Sequence, residues 1–134
     1  DRPVDAEFFR ERLKRAHELR QGVVSGSNAF RLVYGEADQL PALVVDRYAD
    51  WLSIQTLAQG MDRAQPLLLE LFWEMFNPRG IMERNDLRVR DLEALPQRAG
   101  VAAGECPDTV EIEMNGLRHC VRNCRRYPAR CNCC

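Results

Sequence analysis

The chain has 134 residues, the length of one ordinary domain, and 46% of them are hydrophobic, which is enough for one core but excludes two. The formal net charge is −1, but residues 1–117 alone carry net −6, which argues against strong autonomous RNA binding. No apolar run is long enough to cross a bilayer or has the flanks of a signal peptide. We therefore expect a soluble, cytoplasmic protein with no membrane partner.

Charge and cysteine are distributed unevenly along the chain. Residues 1–117 carry 14 basic and 20 acidic side chains, whereas residues 118–134 carry five arginines and no acidic residue. Five of the six cysteines also lie after residue 119. The aperiodic mixture of Arg, Cys and Pro is typical of translation in a wrong reading frame of a GC-rich gene. We expect a native domain over residues 1–121 and an aberrant tail, frameshifted or truncated, over residues 122–134.

The first half of the chain predicts a helix followed by three strands. Asp5 is placed to cap the helix, and apolar residues recur at helical spacing until about residue 22. A period of two then begins, with Leu32 and Val33 on opposite faces of the first strand. The predicted strands, which form a meander, cover residues 29–34, 42–46 and 51–57.

The second half predicts a long helix, two short elements and a hairpin. Helical spacing returns over residues 61–76, and Pro66 is tolerated there only in the first turn. A short strand is predicted over residues 81–83 and a helical turn or two over residues 87–95. Asn115-Gly116 favours a two-residue type I′ hairpin. That hairpin pairs Glu113 with Arg118, Ile112 with His119 and Val110 with Val121.

Together, these elements predict an α+β fold. A small mixed sheet, made of the three-strand meander plus the C-terminal hairpin, is expected to pack with two main helices. Phosphate-binding glycine loops are absent from the sequence. His17 lies among Arg15, Glu18 and Arg20 with no evident catalytic partner and is interpreted as a surface residue. His119 is interpreted as a strand residue at the sheet surface.

Carboxylates and arginines concentrate at the ends of the predicted strands. One interpretation is a set of structural ion pairs and turn caps that hold a small sheet. The other is that five arginines face one side and contact the phosphates of a folded RNA. These candidate RNA-binding residues are Arg31, Arg47, Arg84, Arg88 and Arg90.

The cysteine-rich segment leaves several interpretations open. Cys120, Cys124, Cys131 and Cys133, with His119, offer enough donors for tetrahedral zinc, but their spacing matches no common zinc motif. Redox chemistry is a further interpretation, for which a Cys-x-x-Cys pair is typical. If the aberrant tail comes from a wrong reading frame, its cysteines need no ligand. We therefore assign no metal-binding residue.

Several blocks of the sequence have a specific order and spacing. They are Asn28-Ala29-Phe30-Arg31-Leu32-Val33, the run GE-x-D-x-LP-x-LVVDRY over residues 35–48, Glu83-Arg84-Asn85-Asp86, Val89-Arg90-x-x-Glu93, Gly104-Glu105 followed by Pro107, and Val110-Glu111-Ile112-Glu113-x-x-Gly116-Leu117. These blocks resemble the central region of the ribosomal RNA large subunit methyltransferase I family, which are cytosine-5 RNA methyltransferases with an N-terminal PUA domain. The resemblance covers about residues 5–121.

The resemblance implies a protein of three parts: a PUA domain, a small mixed domain and a Rossmann-like domain that binds S-adenosylmethionine. Residues 1–121 are then the central connector domain, and this chain itself holds no cofactor. The family's mechanism, attack of a cysteine thiolate on the pyrimidine ring before methyl transfer, belongs to the Rossmann-like domain. None of the six cysteines here lies in a matching motif, so no catalytic or cofactor-binding residue is assigned.

The resemblance thus implies a fragment of an S-adenosylmethionine-dependent ribosomal RNA (cytosine-5) methyltransferase. Ribosomal RNA is the expected partner of the full-length protein, and a homodimer is a further expectation. The alternative is a stand-alone RNA-binding or interaction module whose Cys-rich tail binds zinc.

Overall fold

A computed structural model describes residues 4–122 of the chain. Four helices and seven strands follow one another there, with a 3-10 turn at Gly35–Asp38. In chain order they are α1 (Ala6–Val23), β1 (Ala29–Tyr34), β2 (Leu43–Tyr48), β3 (Trp51–Thr56), α2 (Gln59–Arg63), α3 (Gln65–Phe76), β4 (Gly80–Asn85), α4 (Val89–Leu92), β5 (Arg98–Gly104), β6 (Thr109–Met114) and β7 (Leu117–Arg122).

The ends of the two long helices follow local sequence signals. The Asp5 side chain accepts a hydrogen bond from the Phe8 backbone N–H at 3.0 Å, so the predicted N-cap of α1 is confirmed. Pro66 lies in the first turn of α3, also as predicted. A break at Ala64 separates α2 from α3, so the helical spacing over residues 61–76 spans two helices. The regular one starts at Gln65, close to Pro66 as predicted.

Five strands form one mixed sheet in the order β1-β2-β3-β4-β5. The first three are an antiparallel meander, as predicted, while β4 pairs parallel to β3 after the crossover through α2 and α3. The sequence did not predict β5, which pairs antiparallel with β4 at the sheet edge. The α+β class is confirmed, but the hairpin β6–β7 forms a separate two-stranded sheet instead of joining the meander.

The hairpin has the predicted register. Glu113 pairs with Arg118 and Ile112 with His119. Asn115 and Gly116 both have positive φ, 54° and 80°, which a type I′ turn requires.

A β-bulge in β1 changes which side chains are buried. Arg31 pairs with Asp46 and Val33 with Val45, so Leu32 is an extra residue with no partner in β2. Leu32 and Val33 are both buried in the core, with 1% and 0% of their surface exposed. The strict alternation predicted for this strand is therefore wrong at Leu32.

The main core lies between one face of the large sheet and the helices α1 and α3. Its buried members include Leu13 from α1, Phe72 from α3, and Val45 and Ile54 from the sheet. A smaller cluster on the opposite face joins Val110 and Ile112 of the hairpin to Ala29, with Tyr48, Ala49 and Trp51 packed around it. The hairpin thus covers one end of that second face. Among residues 4–122, no helix is long and apolar enough to span a membrane.

Candidate nucleic-acid interface

Part of the sheet face opposite the helices carries a polar cluster. The strand register pairs Arg31 with Asp46, Asp46 with Ser53, and Ser53 with Met82, and paired residues of neighbouring strands point to the same side. Two residues after Met82, Arg84 has the same orientation because side chains alternate along a strand. We call Arg31, Asp46, Tyr48 and Arg84 the open-face cluster.

Arg31 and Asp46 are joined by two hydrogen bonds across β1 and β2. Arg31 Nε donates to Asp46 Oδ1 at 2.8 Å, and Arg31 Nη2 donates to Asp46 Oδ2 at 3.4 Å. The hydrogen bond to Asp46 raises the pKa of Arg31, so its guanidinium stays charged. The arginine side chain is 48% exposed, whereas that of Asp46 is 18% exposed. The positive partner is therefore the one that a ligand in solution can reach.

Arg84 is less completely paired than Arg31. Its Nε lies 3.6 Å from Asp86 Oδ1, and neither of these two buried atoms makes a hydrogen bond. Burial raises the pKa of the Tyr48 hydroxyl, as does Asp46, while Arg31 and Arg84 act in the opposite direction. Arg31 and Arg84 therefore lie on the same face of the sheet, on β1 and β4, with β2 and β3 between them.

The other three candidate arginines do not join this cluster. Arg47 pairs with Phe30 and Leu52 on the helix side of the sheet, and its Nε donates to the Ala49 carbonyl at 2.9 Å. Arg88 is exposed just before α4. Arg90 is fully buried, with 0% of its surface exposed. The expectation that all five face one side is therefore wrong, and only Arg31 and Arg84 share a face.

Arg90 belongs to a polar network at the carboxyl ends of the parallel strands β3 and β4. Its guanidinium donates to the carbonyl and hydroxyl of Thr56 and to the Pro96 carbonyl, and it lies 3.1 Å from Asp62 Oδ1. Arg98 Nη2 donates to the same Asp62 oxygen at 2.7 Å. The members of the network are Thr56, Asp62, Gln65, Glu83, Asn85, Arg90 and Arg98.

The amide side chains complete this strand-end network. Asn85 Oδ1 accepts from the Thr56 backbone N–H at 2.7 Å, and Gln65 Oε1 accepts from Asn85 Nδ2. Gln65 Oε1 and Asp62 Oδ1 share the single proton of the Thr56 hydroxyl. The carboxyl ends of parallel strands are where open α/β sheets usually bind ligands. Here the chain's own side chains fill that place and bond one another, so the network stabilises the fold.

Two carboxylates in this network have lowered pKa values. Burial alone would raise the pKa of Asp62, but hydrogen bonds from Thr56, Arg90 and Arg98 outweigh it. The same balance, with Arg98 as the main hydrogen-bond donor, lowers the pKa of Glu83. Both carboxylates are therefore held in their charged form, which suits structural ion pairs better than general acid or base chemistry.

The network is not evident in the sequence because its members are far apart in the chain. Asn85 lies in a motif, but Thr56 and Gln65 carry no sequence signal. Within residues 4–122, no group of three His, Cys, Asp or Glu side chains is arranged to hold a metal ion. Of the candidate zinc ligands, Cys124, Cys131 and Cys133 lie outside the described residues.

Comparisons with known proteins identify several relatives of one name, although no protein-family profile matches the chain. Ribosomal RNA large subunit methyltransferase I of Aeromonas hydrophila is 41% identical over 116 residues, covering 84% of this chain and 29% of that protein. The protein of the same name from Vibrio cholerae is 37% identical over 119 residues, covering 87% of this chain and 30% of that protein.

Solved structures share the fold at lower sequence identity. One, described as a methyltransferase complexed with SAH, has a TM-score of 0.76 and 15% identity and covers 97% of this chain and 32% of its own. Another, described as a SAM-dependent methyltransferase from Streptococcus mutans, has a TM-score of 0.74 and 16% identity over 91% of this chain and 31% of its own. The chain thus has the fold of a segment found in methyltransferases, and it is homologous to a stretch that makes up about 30% of the curated ribosomal RNA large subunit methyltransferases I it matches.

Proposed function

We propose that residues 1–121 are the central connector domain of a cytoplasmic, S-adenosylmethionine-dependent ribosomal RNA (cytosine-5) methyltransferase, and that residues 122–134 are an aberrant tail. In this proposal the domain lies between a PUA domain and the catalytic domain. The observation that carries it is the 41% identity with a ribosomal RNA large subunit methyltransferase I, confined to 29% of that protein. The two solved structures also support it, because this chain matches only about a third of each of them.

The chain's own contribution in this proposal is to hold RNA and to space the flanking domains. Arg31 and Arg84 of the open-face cluster supply the phosphate contacts, because both are arginines on the same face of the sheet. Arg88 adds an exposed charge, while Arg90 is omitted because its guanidinium is buried. The acidic surplus of residues 1–117 makes this contact an auxiliary one, which assists binding by the other domains.

A chimeric enzyme tests the proposal. Residues 5–121 of this chain replace the matching stretch of the Aeromonas hydrophila relative, and methyl transfer from labelled S-adenosylmethionine to large-subunit ribosomal RNA is measured. We expect the chimera to retain transfer, because the two stretches share 41% identity. A soluble, folded chimera that transfers no methyl group would overturn the proposal.

Two variants of the chimera test the open-face cluster. The double change Arg31→Ala and Arg84→Ala removes two phosphate contacts and should raise KM for RNA while leaving kcat nearly unchanged. The double change should also make RNA binding less sensitive to salt. The slope of the logarithm of the RNA association constant against the logarithm of salt concentration should become smaller in magnitude by about two. Arg10→Ala is the matched control, because Arg10 is a partly exposed arginine of α1 that bonds Glu7 and Glu74. Equal KM values for the double variant and the control would remove RNA binding from this face.

The encoding DNA tests the proposed tail. By the family resemblance, a frame shifted after Val121 should encode a Gly-Gln-Lys-Thr-Gly-like segment followed by a glycine-rich methyl-donor loop. An ordinary stop codon with no such continuation in any frame would refute the frameshift.

A further inference from the structure

Both tryptophans of the chain line one surface cleft. The sequence contains two tryptophans, Trp51 at the start of β3 and Trp73 in α3. They line a cleft of about 640 Å³ together with Pro78, Arg79 and Cys106. This volume lies within the range of about 300–1,000 Å³ that is typical of small-ligand sites. The cleft belongs neither to the open-face cluster nor to the strand-end network.

The walls of the cleft are held in place by the backbone. Trp51 Nε1 donates to the Glu105 carbonyl at 2.9 Å, which fixes the orientation of its indole ring. Gly104 has φ +67°, and a Cβ there would lie 2.9 Å from Trp73 Cη2. A Cβ on Gly80 would lie 2.7 Å from Cys106 Sγ. Glycine at these two positions therefore lets the walls approach one another.

The indole of Trp73 remains open to a ligand. Trp73 is 42% exposed, although it is the largest apolar side chain of α3. Other apolar residues of the same helix, such as Leu68 and Phe72, are buried in the core. Burial raises the pKa of the Cys106 thiol, so that part of the wall is neutral. The cleft therefore offers aromatic surface to a flat ligand.

Positive charge lies at the rim of the cleft. The Arg79 guanidinium is 5.6 Å from the centre of the Trp51 ring, and its side chain is 70% exposed. Arg79 Nε lies 3.5 Å from Asp50 Oδ2, and the Asp50 side chain is 57% exposed. Ion pairs between such exposed side chains are weak. A smaller cavity that shares Pro78 is lined by both Arg47 and Asp50. Arg79 is therefore the exposed cation that a phosphate beside the cleft would meet.

We propose that this cleft binds one unpaired nucleobase of a single-stranded RNA segment, stacked on Trp73, with Arg79 contacting a flanking phosphate. The proposal rests on the proposed function, because ribosomal RNA supplies the ligand. Aromatic faces beside a cationic rim are how proteins hold single-stranded nucleic acid. A cationic ligand is disfavoured because Arg79 already lies over Trp51. A base inside a duplex is excluded because its faces are covered by its neighbours.

Tryptophan fluorescence of the full chain tests this proposal directly, since every tryptophan lines the cleft. The probes are single-stranded hexaadenylate, the same backbone with abasic ribose at every position, and a duplex of hexaadenylate with hexauridylate. We expect saturable quenching by hexaadenylate alone. Trp73→Ala should weaken its binding at least about fivefold, because one stacked base is lost. Leu92→Ala, at an 87% exposed residue of α4, is the control and should bind as the unaltered chain does.

A second variant keeps the test decisive if Trp73→Ala fails to fold. Arg79→Gln changes a 70% exposed side chain and should reduce the salt slope of binding by about one. Equal quenching by the abasic backbone or by the duplex would overturn the proposal, as would unchanged affinity in a folded Trp73→Ala chain. An active chimera without quenching would refute the base site alone. Quenching with an inactive chimera would refute the proposed function alone.

Discussion

Replacement of Arg90 by alanine should destabilise the protein more than any change at the other candidate arginines. The side chain is fully buried, and it donates hydrogen bonds to the Thr56 and Pro96 carbonyls and to the Thr56 hydroxyl. Its guanidinium also forms an ion pair with the charged Asp62 carboxylate. Alanine would leave these acceptors without their donor and would open a cavity between β3 and α4.

The size of the effect follows from the partners that remain. Removing one member of a buried ion pair usually costs about 3–5 kcal/mol. Asp62 keeps its hydrogen bonds from Arg98 and Thr56 and is 15% exposed, so water and Arg98 compensate for part of the loss. We therefore expect a loss of about 3–4 kcal/mol, a large share of the roughly 5–15 kcal/mol that stabilises a typical domain. Arg90→Lys should lose less, because an ammonium group keeps the charge but not the fork of donors.

Urea unfolding at pH 7, followed by tryptophan fluorescence, measures this difference as a shift in midpoint at constant m. Arg88→Ala is the matched control, since Arg88 is exposed two residues earlier, and it should change the stability by less than about 0.5 kcal/mol. If Arg90→Ala unfolds within about 1 kcal/mol of the unaltered chain, the buried network does not contribute as its geometry indicates.

Three further predictions concern pH and packing. Because the pKa of Asp62 is lowered in the fold, its stabilising contribution is present above its ordinary pKa of 3.8 and lost as pH falls below it, so Asp62→Asn should flatten acid unfolding. Burial, and then Arg47, lowers the pKa of His17, so the unfolded chain binds the proton first. Stability should fall as pH drops below about 6.5, and His17→Gln should remove that slope in urea midpoints measured between pH 5 and 8. Gly104→Ala should cost about 2–4 kcal/mol through its positive φ and wall contacts, whereas Gly22→Ala, with open space at the end of α1, should be neutral or stabilising by calorimetry.

The elements predicted correctly are those whose signals are local. Asn115-Gly116 determines a turn type, and the turn determines the register of every pair behind it, so the hairpin was predicted residue by residue. Asp5 and Pro66 mark helix starts in the same local way. By contrast, β5 is rich in Ala and Gly, which have low strand propensity, and it is a strand because β4 offers a pairing edge.

The candidate site was harder to predict because arginine has two uses that look alike in a sequence. Arg31 and Arg90 both follow apolar residues near strand or helix ends, yet one is half exposed and the other fully buried. Only the positions of Thr56 and Asp62, far along the chain from Arg90, decide between them. The bulge at Leu32 is similarly invisible, because the register shift depends on the partner strand.

The separate attachment of the hairpin β6–β7 has a consequence for local opening. It is anchored by the small cluster of Ala29, Val110 and Ile112, and by hydrogen bonds between Asn28 and Glu113 at 2.7 and 2.8 Å. Two further hydrogen bonds join Asn115 to Ser27 and Gly116 to Gly26. Because this attachment buries far fewer apolar residues than the main core, the hairpin should detach while the five-stranded sheet stays closed. In deuterium exchange, its amides should then label well before those of β2 and β3, as an independent unit of the molecule.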